Sequence, residues 1–321
     1  MKRYLGAIGA TAIIGLAFML TTSNDTLAEP VPTAPANEFS TVVNPQIPAL
    51  YTLCGEKIDL DRVDMYERFD RELTSMAYTH GATMLMLKRA NKLFPVIAPI
   101  LKTNGMPDDI IYLACVESSL NPRALSPAKA GGIWQFMPAT AKQYGLEVSD
   151  EVDERYNIQK ATAAACRYLK RYKNQYGDWA SAMAAYNAGP ARITNELDAQ
   201  AGGDAFDLYL NEETSRYVFR IMATKAIFEN PRAFGFNLTA NQLYMPVECN
   251  EVEVNGPVES WPQWAADHGI SYAQLREENP WIRAKKLTNK AAKTYKVRVP
   301  KKDSLKRSTQ HRKIYNRNWI E

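Results

Sequence analysis

The stretch "ACVESSLNPRALSPAKAGGIWQFMPATA", residues 114–141, sets one carboxylate, Glu117, into an otherwise apolar helical pattern. Upstream, Asp108-Asp109 opens that helix at the end where acids suit the backbone dipole. Ile110, Leu113, Ala114 and Glu117 then recur at i, i+3, i+4 and i+7, which places Glu117 on the apolar stripe. Asn121-Pro122 ends the helix a turn later, so the carboxylate sits near the negative end of the dipole and among apolar neighbours. Both effects disfavour its charged form and raise its pKa. A carboxyl kept protonated near neutral pH is what a general acid requires. The plainer alternative is a glutamate whose head escapes to solvent at a helix end.

The residues downstream of Glu117 favour a buried general acid. Asn121-Pro122, Ser126-Pro127 and Gly131-Gly132-Ile133-Trp134-Gln135-Phe136-Met137-Pro138 describe a shaped, non-helical wall beside the acid. Ser126 and Gln135 offer hydrogen-bonding groups suited to sugar hydroxyls or acetamides. Farther on, Trp179, Met183 and Tyr186 share one helical face, and Ala180, Ala182, Ala184 and Ala185 permit close helix contact before Asn187-Ala188-Gly189-Pro190 ends the helix.

Around this centre the chain of 321 residues, 46% of them hydrophobic, has room for two domains. Lys2 and Arg3 precede an apolar run from Tyr4 to Leu20, then Thr21, Thr22 and Ser23. That order predicts a secretory signal over residues 1–28, cut near Ser23 or after Ala28, with an uncleaved anchor as the alternative. No cysteine lies close after the run, which argues against a lipoprotein anchor. Pro30, Pro32, Pro35, Pro45 and Pro48 mark residues 29–58 as a linker. From 59 to 238 the signals are helical. After that the texture changes to strand, helix, helix, strand: Val252 and Val254 alternate, Trp261–His268 reads as a helix, Ser271 and Gln274 form a capping box, and Tyr295, Val297 and Val299 alternate again. Residues 245–300 are thus expected to form a small separate module. The fold class expected is mainly α, with a small α+β domain.

Residues 301–321 carry seven of the 39 basic residues and two of the 35 acidic ones, a net of +5 that leaves the rest at −1. This basic tail reads either as a solvated, disordered end or as a contact for an anionic polymer or membrane. The acids Asp150, Glu151, Asp153 and Glu154 read as helix-start and solvated loop charges ahead of a helix beginning near Ile158. Of the four cysteines, Cys115 and Cys166 sit in apolar helical patterns as small buried hydrophobes, and Cys54 and Cys249 are candidates for a disulfide. Only three histidines, His80, His268 and His311, are present and they are well separated, which leaves a zinc hydrolase without support. No phosphate loop or metal cluster appears, so no cofactor and no nucleic-acid partner are expected.

Four segments in order, "ESSLNPRALSPAKAGGIWQFMPATAKQYGL", "DERYNIQKATAAACRYLKRY", "GDWASAMAAYNAGPARI" and "ETSRYV", resemble the catalytic domain of the bacterial lytic transglycosylases, closest to the membrane-bound murein transglycosylase D type. The resemblance covers roughly residues 61–235. It implies a lysozyme-like helical domain with a glycan-binding cleft, acting on peptidoglycan strands in the periplasm or cell envelope. It also implies that Glu117 is the single catalytic acid, that Ser126 and Gln135 line the site, that Tyr186 and Asn187 belong to the family's Ala-Tyr-Asn motif, and that Tyr217 reaches the cleft from a later helix. The sequence departs from the family at Lys129, where a glycine is usual, and at Trp134, which replaces the methionine of the Gly-Leu-Met-Gln form and is expected to reshape a subsite. The segment from Trp261 to Pro300 resembles the latter part of a LysM domain, which implies binding to N-acetylglucosamine-containing chains; its entry, "VEVNGPVESW", lacks the Gly-Asp-Thr signature common in that family. Two alternatives stay open: a goose-type, hydrolytic lysozyme on the same fold, and a catalytically silent wall-binding scaffold.

Overall fold

The structure, a computed structural model, describes residues 46–321. The expected signal and the first part of the proline-rich linker lie outside the described residues. The linker's remainder is not a linker. β1 (Leu50–Leu53) and β2 (Glu56–Asp59) form an antiparallel hairpin, turned through Cys54 and Gly55, both at positive φ. Leu53, Ile58 and Leu60 are buried in the main core, and Tyr51 Oη donates to the Met222 carbonyl at 3.1 Å. Four-residue strands with one inward residue each are too short to register as an alternating pattern.

Eight helices come next: α1 (Val63–Tyr78), α2 (His80–Thr103), α3 (Ile111–Ser118), α4 (Pro138–Gln143), α5 (Ile158–Tyr176), α6 (Trp179–Ala188), α7 (Pro190–Gln200) and α8 (Glu212–Glu229). The side chains of Asn157, Asp178 and Asn211 cap α5, α6 and α8 by accepting from the third backbone N–H of each helix. In α6 every residue from Trp179 to Ala185 is buried, as befits a helix apolar on all sides. Its alanines let it lie between α5 and α8, and α8 in turn packs on α1, α3 and α6. The short α3, which carries Glu117, is thereby enclosed.

The C-terminal module has the expected order: β3 (Cys249–Val254), α9 (Trp261–Asp267), α10 (Tyr272–Glu278) and β4 (Tyr295–Pro300), with β3 and β4 antiparallel from Cys249↔Pro300 to Val254↔Tyr295. The capping box of Ser271 and Gln274 is present. The module is not separate, however. Val152 and Tyr156, from the loop before α5, complete its apolar core. Val152 bridges Ile282, Asp153 N donates to Trp281 O at 2.9 Å, and Arg283 N donates to Glu151 O at 2.8 Å. The acids expected to be solvated are therefore part of a seam. Asp153 and Glu154 are 6% and 5% exposed, Asp153 paired with Arg155 and Glu154 with Lys160. A pattern of acids before a helix cannot reveal that another domain covers them.

Residues 301–321 also depart from expectation, because they pack. Trp319 is 2% exposed, meets Phe94 and Phe228 edge-on at 5.7 and 5.6 Å, and donates its indole N–H to Phe228 O at 2.7 Å. Buried Asn91 of α2 donates to Lys313 O and Tyr244 O, both at 3.1 Å, and accepts from Tyr315 N at 2.8 Å. The charge count hid two aromatic anchors. All four cysteines are free thiols, so the expected Cys54–Cys249 disulfide is absent: Cys54 lies in the hairpin turn beside Asp109, and Cys249 opens β3 in the other module. Among the described residues no helix is long and apolar enough to cross a membrane.

The packed tail has a measurable consequence. Trp319→Ala is expected to lower the unfolding free energy by about 3–5 kcal/mol, through the cavity left and the orphaned Phe228 carbonyl. Urea denaturation monitored by circular dichroism checks this, and a change below about 0.5 kcal/mol, the size of an ordinary surface substitution, would return the tail to a solvated end.

Candidate active site

A 3₁₀ turn at Asp108–Ile110 runs directly into α3. Asp109 anchors it, accepting from Cys54 N at 2.7 Å and pairing with Lys225 of α8 at 3.0 Å. Leu113 and Ala114 fix α3 in the core, and the helix stops one residue after Glu117. Ser119 and Leu120 both adopt the left-handed conformation, at φ 49° and 56°. Leu120 is fully buried, which holds this costly reversal in place. Arg89 of α2 caps the end by donating to Ser119 O at 3.0 Å, a cation where the dipole favours one.

Burial pushes the Glu117 carboxyl up to about 7, with the exposed carboxylate of Glu213 adding to the effect and a hydrogen bond from Tyr217 opposing it. Tyr217, buried on α8, donates its hydroxyl to Oε1 of Glu117. A neutral carboxyl whose Oε1 accepts this bond carries its proton on Oε2. Tyr186, at the end of α6, feels the charge of Glu117, although burial is the larger cause of its raised pKa. Its hydroxyl donates to Trp134 O at 2.6 Å. Glu117 of α3 and Tyr217 of α8 thus meet directly, with Tyr186 of α6 near enough to feel the acid's charge.

The segment after α3 is a compact turn built on itself. Leu125 bridges Gly131, and Gly131 bridges Phe136. Ser126 Oγ accepts from Ala130 N at 3.0 Å, and Gln135 Nε2 donates to Gly132 O at 2.7 Å. Ser126 and Gln135 therefore spend part of their hydrogen-bonding capacity on the turn, leaving the Ser126 hydroxyl proton and the Gln135 Oε1 for other partners. Gln135 adjoins Trp134, the acceptor for Tyr186, whereas Ser126 lies across the turn. Asn187 is half-buried beside Tyr186, and its amide makes no hydrogen bond among the described residues. Lys129, where the family usually has glycine, takes the left-handed conformation at φ 67° with its side chain exposed, so the turn is kept at a strain of roughly 1–2 kcal/mol. Trp134 does not reshape a subsite. Its ring is fully buried and donates to Thr162 Oγ1 at 2.9 Å, so only its carbonyl serves the site.

Two features went unread in the sequence. Ser118 Oγ lies 3.1 Å from Ala114 O and 3.0 Å from Ile133 O, tying the residue after Glu117 to the turn. Arg155, 6% exposed, donates to Lys129 O at 2.7 Å and Phe136 O at 3.0 Å. The one available signal was Gly131-Gly132 itself: a Cβ on Gly132 would stand 1.9 Å from Arg155 O, and one on Gly131 3.1 Å from the Arg155 guanidinium carbon.

The transglycosylase SLT domain family matches residues 94–208, a range that holds Glu117, Ser126, Gln135, Tyr186 and Asn187 but ends before Tyr217. The soluble lytic transglycosylase C-terminal LysM-like domain matches residues 250–303. Membrane-bound lytic murein transglycosylase D of Escherichia coli K12 is 31% identical over 271 residues, 81% of this chain and 58% of that protein. The peptidoglycan transglycosylase gp16 of phage T7 is 35% identical over 123 residues, 37% of this chain and 9% of that one. Among solved structures, the 70 kDa soluble lytic transglycosylase of Escherichia coli aligns over 49% of this chain and 30% of its own, at 23% identity and a TM-score of 0.40. The chain thus spans little more than half the length of this first relative, and it carries a match to the transglycosylase SLT domain at residues 94–208 followed by a match to the soluble lytic transglycosylase C-terminal LysM-like domain at residues 250–303.

Proposed function

We propose that this protein is a peptidoglycan lytic transglycosylase that cleaves the β-1,4 bond between N-acetylmuramic acid and N-acetylglucosamine without consuming water. The observation that carries the reading is the Glu117 carboxyl, set between the helices, held neutral up to about pH 7 and bonded through one oxygen to Tyr217, which leaves its proton on the other. The name of the curated relative, a membrane-bound lytic murein transglycosylase, supports the same substrate and an envelope location.

In the proposed reaction Glu117 gives its proton to the glycosidic oxygen as the C1–O bond breaks, and the N-acetylglucosamine end leaves as an alcohol. The muramoyl acetamide steadies the cationic C1. The carboxylate then removes the proton of the 6-hydroxyl as O6 bonds to C1, closing a 1,6-anhydro ring and restoring the acid. One glutamate suffices because acid and base steps succeed each other, a departure from the usual carboxylate pair. Tyr217 supports the ionised form between the steps. Ser126, Gln135 and Asn187 supply the remaining polar contacts to sugar hydroxyls and acetamides, and the LysM-like module adds a glycan contact. A hydrolase on this fold needs a second carboxylate to position water; Glu213, exposed in the first turn of α8, is the one whose charge reaches Glu117.

Mass spectrometry of fragments released from purified sacculi tests the reading. Anhydro-ended muropeptides, lighter by one water than hydrolysis products, are expected; reducing ends would establish the hydrolase, and no fragments from folded, sacculus-bound protein the scaffold.

Glu117→Gln is expected to lower the rate by about 10²–10⁴-fold, the usual worth of a positioned general acid. The same variant should be the more stable protein at neutral pH. The folded-state pKa of Glu117 lies above the ordinary value near 4.5, so its stabilising contribution is whole below pH 4.5 and is lost as pH rises to about 7. Gln removes that loss: parity near pH 4 and a gain of about 3 kcal/mol above pH 7 are expected from denaturation at the two pH values. Tyr217→Phe removes the bond that holds the carboxyl down. The alkaline limb of kcat/KM, near pH 7 in the parent, should then move to higher pH, and an unmoved limb would sever Tyr217 from the acid.

A further inference from the structure

We propose, resting on the transglycosylase reading, that Arg155 is a positioning residue through which the docked LysM-like module holds the active-site turn in its working shape. Arg155 stands between two bodies and touches neither Glu117 nor the tyrosines. On one side its guanidinium donates to Lys129 O and Phe136 O, carbonyls that flank Gly131-Gly132. Gly131 leaves the space that the guanidinium fills, and Gly132 the space for the Arg155 backbone carbonyl. On the other side Nε and Nη2 grip Asp153, at 2.9 Å and 2.7 Å, in the fork geometry that only arginine offers.

Asp153 belongs to the seam with the LysM-like module. Its N–H is held by Trp281 O at 2.9 Å, its neighbour Val152 bridges Ile282, and Glu151 accepts from the N–H and hydroxyl of Thr288 at 2.8 and 3.0 Å. Glu151 O also accepts from Arg283 N, and the Arg283 guanidinium lies 4.5 Å from the centre of the Tyr156 ring. Residues 151–156 are thus clamped by the module on one face while Arg155 clamps the turn on the other.

From the turn two bonds lead to the surroundings of the acid: Ser118, the residue after Glu117, donates to Ile133 O, and Tyr186, which feels the charge of Glu117, donates to Trp134 O. Every link is 3.2 Å or shorter. Burying an arginine–carboxylate pair seldom gains stability over apolar packing. What it supplies here is direction, fixing two carbonyls of a turn that has Lys129 and Gln135 in the left-handed region. Slackening that turn moves the wall of the site by fractions of an ångström, a scale at which catalytic rates fall by orders of magnitude.

The test uses the full chain and two variants. Arg155→Lys keeps the charge but cannot hold Asp153 and both carbonyls at once. Glu151→Ala loosens the module's seam and touches no residue of the turn. On soluble glycan strands, Arg155→Lys is expected to lower kcat by about 10–100-fold with KM within about threefold, and Glu151→Ala to lower kcat several-fold in the same sense. The double variant should be no slower than Arg155→Lys alone, because both cut one path. Hydrogen exchange of residues 124–137 should quicken in each. Unchanged exchange there in Glu151→Ala, multiplicative effects in the double variant, or a loss expressed in KM alone would overturn the proposal. Should Arg155→Lys fail to fold, Glu151→Ala decides by the same readouts. Failure of the transglycosylase reading shows separately, as a parent protein that releases no anhydro ends, and the exchange measurement still decides the coupling.

Discussion

Keeping one carboxyl out of water is the constraint around which the helical domain is arranged. A carboxyl largely withdrawn from water survives by staying neutral or by being hydrogen-bonded, and half-buried Glu117 does both. The neutral form requires apolar walls, which α6 and α8 provide because α6 carries alanine where larger side chains would hold the helices apart. The bonded form requires a donor that cannot drift, and Tyr217 is fixed by its own burial in α8. α8 is in turn held by the hairpin, through Tyr51 on the Met222 carbonyl, and by the turn before α3, through Asp109 on Lys225. A segment that looks like a linker in the sequence therefore bears on the titration of a residue far along the chain.

Strain is concentrated in the segment that follows Glu117. Among the described residues eight non-glycine positions have positive φ, and four of them, Ser119, Leu120, Lys129 and Gln135, lie between the end of α3 and the close of the turn. Each such residue costs on the order of 1–2 kcal/mol and persists only when its surroundings over-determine it. The surroundings do so here: Leu120 is in the core, Arg89 holds Ser119 O, Arg155 holds Lys129 O, and Gln135 closes on Gly132. The wall beside the acid is rigid because several independent elements each hold one of its carbonyls.

Periodicity and local chemistry made part of this legible in advance. Glu117 could be placed on a buried stripe because the helix pattern is regular on both sides of it, and the βααβ order of the second module came from two alternating strands and a capping box. The features that escaped depend on partners distant in sequence. Trp134 looked like a wall residue since glycines precede it, yet its ring turns inward to Thr162. Glu151 and Asp153 read as solvated because nothing local says that residues 281–288 meet them. The tail read as solvated because charge dominates its composition, while its fate is set by Trp319 and Tyr315 meeting α2. Arg155 is the sharpest instance: one arginine amid acids carries no pattern, and its meaning lies in two glycines well upstream, Gly131 and Gly132.

The docked seam also limits what the LysM-like module can contribute. A binding module on a flexible linker raises the local concentration of its ligand over many geometries. Here Val152 and Tyr156 belong to the module's own core, and a cavity of about 640 Å³ between the bodies is lined by residues of both, among them Lys92, Tyr156, Trp281 and Arg298. On the proposed transglycosylase reading, a glycan strand that engages both parts must do so at one fixed offset from Glu117. Such an arrangement would gain little in avidity over a tethered one and more in orientation, because the sugar presented to the acid would be set by the distance from the module rather than by chance along the strand. That is also the arrangement in which a link such as Asp153–Arg155 has an effect, since only a rigidly seated module can transmit its position to a turn.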